Sequence, residues 1–282
     1  MSARSPHAVA FGSRPGLLRL ALAMLGFLGL ARPLPASPPD IQRIRDRGAL
    51  VVAMPSFDSP PFFYQARDGI QGVDVDMAQD LAKALHVGLR FDRQAASFND
   101  TLDRVLKGQA DVAICKLSRT LERASSVRFS EPYLVLNHAL AINRLRFAAL
   151  ARGQDLATAI RHFTGTIGVI DHSAYAEFAP RNFPSTEVVK FKDWDAVVAA
   201  LTRGDIVAAY RDEFEVERLM KIDPRLTLTV RTVTLTDLQD SLGMAVAPDH
   251  PQLLALINLY LAQRTHKLTL DEVLDRLGEG RP

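Results

Sequence analysis

The side chains with the clearest capacity for chemistry fall in one stretch, Ala113–Tyr133 (AICKLSRTLERASSVRFSEPY). Val112–Ile114 reads as a short apolar strand, and Cys115, Lys116, Ser118 and Thr120 follow it in a turn. A helical segment then carries Arg123, and Phe129-Ser130-Glu131-Pro132-Tyr133 closes the stretch. A strand end that hands polar groups and one arginine into a crevice suits a carboxylate. The guanidinium is planar, stays charged, and can donate two parallel hydrogen bonds to one carboxylate. The competing expectation is that Arg123 pairs with Glu122 or another surface acid, because most arginines are solvated.

Such a crevice needs other strand ends around it, and the chain supplies them. Ala49–Ala53 reads as a buried strand that leads into a proline-rich loop, Pro55–Tyr64. Gly72-Val73-Asp74-Val75-Asp76 opens a helix whose Met77, Leu81, Ala84 and Leu85 recur at helical spacing. Leu89–Asp92 is a strand, and Thr101–Lys107 a helix ended by Gly108. The three loops Pro55–Tyr64, Ala95–Phe98 and Cys115–Thr120 should converge, since ligands of α/β sheets bind beyond the carboxyl ends of the strands. A second half repeats the alternation. Tyr133–Ile142 is a long apolar strand, Asp155–Phe163 a helix, Thr166–Ile170 a strand, and Asp171-His172-Ser173 a polar turn. The spacing predicts a helix over Ala174–Phe178 ended by Pro180 and Pro184, a strand over Val188–Phe191, and a helix over Trp194–Leu201. A strand over Asp205–Tyr210 delivers Arg211, Asp212 and Glu213 at its end, and Phe214–Met220 is helical. Extended segments at Thr227–Leu235 and Leu242–Val246 precede two terminal helices, Pro251–Gln263 and Leu270–Leu277.

The 282 residues, 48% hydrophobic and 23% charged, are enough for one large domain or two modest ones. Residues 1–36 read as a secretory signal peptide: Arg4, Arg14 and Arg19 lead or enter the apolar run Leu17–Leu30, and small residues and prolines follow. Removing them removes four arginines and no acids, and takes the formal charge from +2 to −2. No basic run remains for a nucleic acid. The single cysteine, Cys115, excludes an internal disulfide and a thiolate-rich metal site, and no cofactor is expected. With no cysteine near the cleavage point to carry a lipid, the mature protein is expected to be periplasmic, unanchored and monomeric.

The chain resembles the extracellular solute-binding proteins, family 3, which typically serve amino-acid ABC transporters. The resemblance spans about residues 40–278. It rests on Pro60-Pro61-Phe62, Gly72-Val73-Asp74-Val75-Asp76, Leu106-Lys107-Gly108-Gln109-Ala110-Asp111, Leu117-Ser118-Arg119-Thr120-Leu121-Glu122-Arg123, Phe129-Ser130-Glu131-Pro132-Tyr133 and Leu242-Gly243-Met244-Ala245-Val246. It implies a two-lobed α/β clamshell, each lobe a mixed, mostly parallel sheet flanked by helices. Lobe 1 would be residues 40–136 plus 241–282 and lobe 2 residues 137–240, with hinge strands near Leu134–Ala139 and Asp237–Leu242. A small amino acid or carboxylate would lie between the lobes, and a separate membrane permease would read their closure.

Position by position, the resemblance implies that Arg123 and Ser118 hold an α-carboxylate and Asp212 an α-ammonium, with Phe98 as an aromatic lid. His172-Ser173 occupies a turn that is usually Gly-Thr. Phe57, Asp58 and Phe62 come from the loop after the first strand, in which Pro55 or Ser56 falls where an acid is usual, Asp58 or Ser59 falls where an aromatic is, and Phe57 is expected to replace that aromatic or to serve in the core. Cys115-Lys116 breaks the pattern, because Lys116 stands where the family usually has glycine. Its ammonium is expected either to meet an anionic group of the ligand or to point to solvent or to Asp58 or Glu122. Two other readings remain open. One is an exported dehydratase like the cyclohexadienyl (arogenate or prephenate) enzymes, with Asp212, Glu213, Glu215 or His172 as general acid. The other is an accessory or sensory binding module without a transporter.

Overall fold

The computed structural model describes residues 38–278, so the signal peptide expected over 1–36 lies outside the described residues. Helix α1 (Pro39–Arg47) stops at Gly48, whose left-handed φ of 71° a glycine adopts without strain. Strand β1 (Ala49–Pro55) follows, buried at every position. A small hairpin, β2 (Tyr64–Ala66) and β3 (Gly69–Gln71), leads into α2 (Val73–Leu85). Next come β4 (Gly88–Ala95), α3 (Phe98–Leu106), β5 (Val112–Ala113), the single turn α4 (Leu121–Ala124) and β6 (Arg128–Phe129). The long β7 (Leu134–Asn143) is followed by α5 (Arg144–Ala151), α6 (Leu156–Arg161), β8 (Thr166–Ile170), α7 (Ala174–Asn182) and β9 (Glu187–Phe191). Then α8 (Trp194–Arg203), β10 (Ala208–Asp212), α9 (Glu213–Ile222) and β11 (Val230–Leu242) lead to β12 (Ala245–Val246), α10 (Pro251–Gln263) and α11 (Leu270–Asp275).

These elements make two lobes, each built on a five-stranded sheet. The first sheet has the order β4-β1-β5-β12-β6 and the second β11-β7-β10-β8-β9. In each, two pairings are parallel and two antiparallel. Val52, Leu81, Ile114, Val246 and Ile257 belong to one continuous core around the first sheet. The second sheet is covered on both faces, by a cluster containing Ile167, Phe178 and Tyr210 and by another containing Val197, Leu201 and Ala209. Helices on both faces of a sheet are what bury strands that are apolar on both sides.

Strands β7 and β11 run between the sheets. Val230–Leu235 pair with His138–Asn143 inside the second sheet, and Gln239–Leu242 pair with Leu134–Asn137, with a register break between Leu235 and Gln239. Beyond the break, Tyr133 N donates to Leu242 O, and Gly243 N to Leu117 O, which ties the pair to the first sheet.

Two local features depart from what the sequence spacing reveals. Helix α5 lacks buried residues, so it offers no apolar period to read. Pro180 lies inside α7 instead of ending it. The proline forfeits one hydrogen bond near the helix end, and burial of Phe178, Ala179 and Phe183 holds the last turn in place.

Candidate ligand-binding cleft

The cleft is built outward from the backbone of Lys116. Gly72 opens α2 at a φ of 130°, and a Cβ there would lie 2.3 Å from Phe62 O, so only glycine permits this approach. Asp74 in the first turn of α2 is thereby brought under β5, where its Oδ2 accepts from Lys116 N at 2.6 Å. That bond anchors Lys116 at a φ of 52°, the left-handed region. The position needs φ above zero, which explains why glycine suits it.

The Lys116 side chain crosses to the other lobe. Its Nζ donates to Asp212 Oδ1 (3.1 Å), Asp212 Oδ2 (3.0 Å) and Glu215 Oε1 (2.9 Å). It lies 5.1 Å from the ring centroid of Phe62 and 4.9 Å from that of Phe214. The side chain is 3% exposed. The expected partners, solvent, Asp58 or Glu122, are replaced by this cross-cleft pair. Asp212 also N-caps α9, since its Oδ1 accepts from Glu215 N at 3.0 Å. Arg211, stacked 5.4 Å over Trp194, lies 3.6 Å from Asp212 and 3.9 Å from Glu215, and Arg218 lies 2.8 Å from Glu215. Burial alone would raise the Glu215 carboxyl, but Lys116, Arg211 and Arg218 together hold it well below the usual carboxylate range.

Arg123 faces the same cleft. Thr120 caps α4 by accepting from Arg123 N, and a capping box at Ser97 and Asp100 fixes the start of α3 and with it Asn99. Arg123 Nε donates to Asn99 Oδ1 (3.0 Å) and Nη1 to Ser118 O (2.9 Å). Its Nη2 makes no hydrogen bond to the described residues. Arg123 is thus buried and oriented, not paired with Glu122. Opposite it, Asp240 on β11 accepts from Ser118 Oγ (2.8 Å) and Tyr175 OH (3.1 Å) through Oδ2, and its Oδ1 is left without a partner. Burial pushes the Asp240 carboxyl up to about 6; Asp212 adds to the rise, and Ser118 and Tyr175 oppose it.

Around these groups lies an inner cavity of about 20 Å³ lined by Phe98, Lys116, Ser118, Arg123, Ser173, Tyr175, Arg211, Asp212 and Asp240. That is room for about one water. An outer cavity of about 550 Å³ adjoins it through Phe98 and Arg211, with Phe57, Asp58, His172 and Trp194 in its wall. Phe57 and Phe98 meet edge to face at 5.4 Å. The three loops expected to converge therefore do so.

The remaining candidate residues divide. Ser173 lines the inner cavity and caps α7. His172 is exposed, stands beside Asp171, and like Lys116 has a left-handed φ, 54°. Asp58 pairs with Arg93 at 2.9 Å in the outer wall. Two candidates line neither cavity. Phe62 is fully buried against Phe214 behind the Lys116 ammonium. Cys115 is buried with its Sγ 3.7 Å from Thr101 Oγ1, and burial pushes its thiol up to about 12. Sequence reasoning missed Asp240 and Tyr175 and did not place Glu215 and Arg211 in a binding role. The one signal for Glu215 was its position three after Asp212, the spacing of a helix cap.

A profile described as bacterial extracellular solute-binding proteins, family 3, matches residues 50–279. The chain belongs to this family. Within reach of the family's range, it is 24% identical over 241 residues to the L-cystine-binding protein TcyJ of Escherichia coli, covering 84% of this chain and 85% of that one. It is 29% identical over 211 residues to a cyclohexadienyl dehydratase of Pseudomonas aeruginosa, covering 73% and 74%. A stretch of 116 residues is 34% identical to the membrane-bound lytic murein transglycosylase F of Alcanivorax borkumensis, 41% of this chain but only 24% of that one. The chain therefore spans about a quarter of that relative's length. The fold also matches the Streptococcus pneumoniae amino acid ABC transporter substrate-binding protein AbpA bound to L-arginine, with a TM-score of 0.67 at 24% identity over 84% of this chain and 98% of that one. The family is one of extracellular solute-binding proteins, and its amino-acid-binding members support a small-molecule ligand for this chain. Among the described residues no cluster suited to a metal occurs, and no helix is long and apolar enough to cross a membrane.

Proposed function

We propose that the protein captures a small carboxylate-bearing solute, an amino acid or a related acid, in the periplasm and presents it to an ABC permease in the membrane. The observation that supports this reading is Arg123: buried, held by Asn99 and Ser118 O, and with one guanidinium nitrogen unclaimed at the inner cavity. A pre-oriented fork costs little reorganisation when it receives a carboxylate. The closing bodies would be residues 40–136 with 241–282 and residues 137–240, hinged where the β7–β11 register breaks. Closure would be the state that the permease reads.

A thermal-shift screen of amino acids, hydroxy acids and oxo acids tests the reading, since a ligand of the native state raises its stability by mass action. At least one carboxylate should raise the melting temperature, and Arg123→Ala should abolish that rise. A rise that survives Arg123→Ala would remove the arginine from its role, and silence across the screen would sink the proposal.

A second reading, an exported dehydratase, is favoured by the dehydratase relative and by one acid. Of the acids expected to serve, Glu215 is held ionised by three cations, Glu213 accepts from Asn137, and His172 is exposed. Asp240 lines the inner cavity, and burial pushes its carboxyl up to about 6. Turnover of prephenate or arogenate, lost in Asp240→Asn, would establish this reading over solute delivery.

A further inference from the structure

We infer that Lys116 is a tethered ammonium filling the place an amino acid's α-ammonium would take, so that the cleft selects a small carboxylate bearing a 2-hydroxy or 2-oxo group in its stead. This inference rests on the carboxylate-binding reading above and names the class of carboxylate.

The geometry carries it. An ammonium entering the cleft needs carboxylate oxygens facing inward. Both oxygens of Asp212 and Oε1 of Glu215 face inward, and Lys116 Nζ bonds all three. The other Glu215 oxygen, Oε2, accepts from Arg218 Nε, and Asp212 Oδ1 also receives Glu215 N. The rings of Phe62 and Phe214 close two sides of the Lys116 ammonium. Each oxygen of this acid pair thus already accepts a hydrogen bond, and a second ammonium would have to share them with Lys116. A free amino acid would have to displace a lysine fixed to the same chain, and a tethered group competes at an effective concentration in the millimolar range or above.

The unclaimed groups in the inner cavity have a different character. Arg123 Nη2 offers a donor to an anion. Asp240, which lines the same cavity, has a buried Oδ1 without a partner. A hydroxyl beside a carboxylate would donate to Asp240 Oδ1 when that acid is ionised, and a 2-oxo group would accept from it when protonated. An α-ammonium would find Asp240 as its one unclaimed acid, already accepting from Ser118 and Tyr175.

The Lys116 backbone adds a second, independent argument. A side chain at φ 52° is strained relative to glycine, so the lysine is held there against its own preference. Lys116→Gly removes the ammonium and suits the backbone, so this variant should fold.

The test is isothermal titration calorimetry of the wild type, Lys116→Gly and Lys116→Gln, with three matched sets. These are pyruvate, lactate and alanine; 2-oxoglutarate, 2-hydroxyglutarate and glutamate; and phenylpyruvate, phenyllactate and phenylalanine. The wild type should bind an oxo or hydroxy acid at least about tenfold more tightly than its amino acid, and both variants should invert that order. Equal affinities, a wild-type preference for the amino acid, or variants that keep the wild-type order would each overturn the inference while leaving the carboxylate site standing. If no member of any set binds the wild type or either variant, the carboxylate-binding reading falls and the inference falls with it.

Discussion

The residue whose charge state matters most in the cleft is Asp240. Its carboxyl titrates near 6 in the fold, chiefly because burial disfavours the charge, against an ordinary value of 3.8. The sign follows from proton counting. Below about pH 4 the folded and unfolded chains both hold the proton, and the group contributes nothing. Between about 4 and 6 the unfolded chain has released it and the folded chain has not, so stability falls as pH rises. Above about 6 the cost is complete. Asp74 behaves alike over a wider window, since burial pushes it up to about 7 although the Lys116 N–H partly opposes the rise. Asp240→Asn keeps an oxygen for Ser118 and Tyr175 and removes the charge. Its melting temperature should match the wild type near pH 4 and exceed it at pH 8, by the equivalent of about 2–3 kcal/mol. A variant less stable than the wild type at pH 8 would show that the ionised carboxylate is needed.

At the scale of elements, the start of α2 decides where Lys116 goes. Gly72→Ala would place a Cβ 2.3 Å from Phe62 O and 2.6 Å from Pro61 O, both backbone atoms that cannot swing aside, at a φ of 130°. The substitution should cost more than about 2 kcal/mol in urea unfolding, well above the usual Gly-to-Ala change. A loss below about 1 kcal/mol would mean that the loop moves freely and that Asp74 is not fixed by it. Legibility in the sequence divides along the same line. Elements with an apolar period were readable: β8 and α10 begin and end where the spacing puts them. The place of Arg123 at the cavity was readable because the turn that carries it, from Ser118 to Arg123, is local in the sequence. The partners of Lys116 lie 96 and 99 residues away on another lobe, so no local pattern names them. Asp240 was missed for a related reason. It lies on a strand that passes between lobes, where burial depends on both bodies at once.

For the whole molecule, the Lys116 link matters because it joins the two lobes across the cleft, beside the β7–β11 pair, the Phe62–Phe214 contact and the contact of α11 with α9. The pair is buried on both sides, with 3% of either side chain exposed, so dissolved ions reach it poorly. Removing one partner of a buried pair typically costs about 3–5 kcal/mol, most of it from the charge left behind. In Lys116→Gly the remaining acids, Asp212 and Glu215, would regain water only if the lobes part. Small-angle scattering without added solute should therefore give the wild type one radius of gyration at about 0.15 M and 1 M salt, and a larger radius for Lys116→Gly at both. An exposed, screened contact would give the opposite pattern: the wild type would expand with salt toward the variant. Equal radii for the two proteins at low salt would show that the strands, α11 and the Phe62–Phe214 contact keep the lobes together, and that the lysine only occupies the acid pair without closing the cleft.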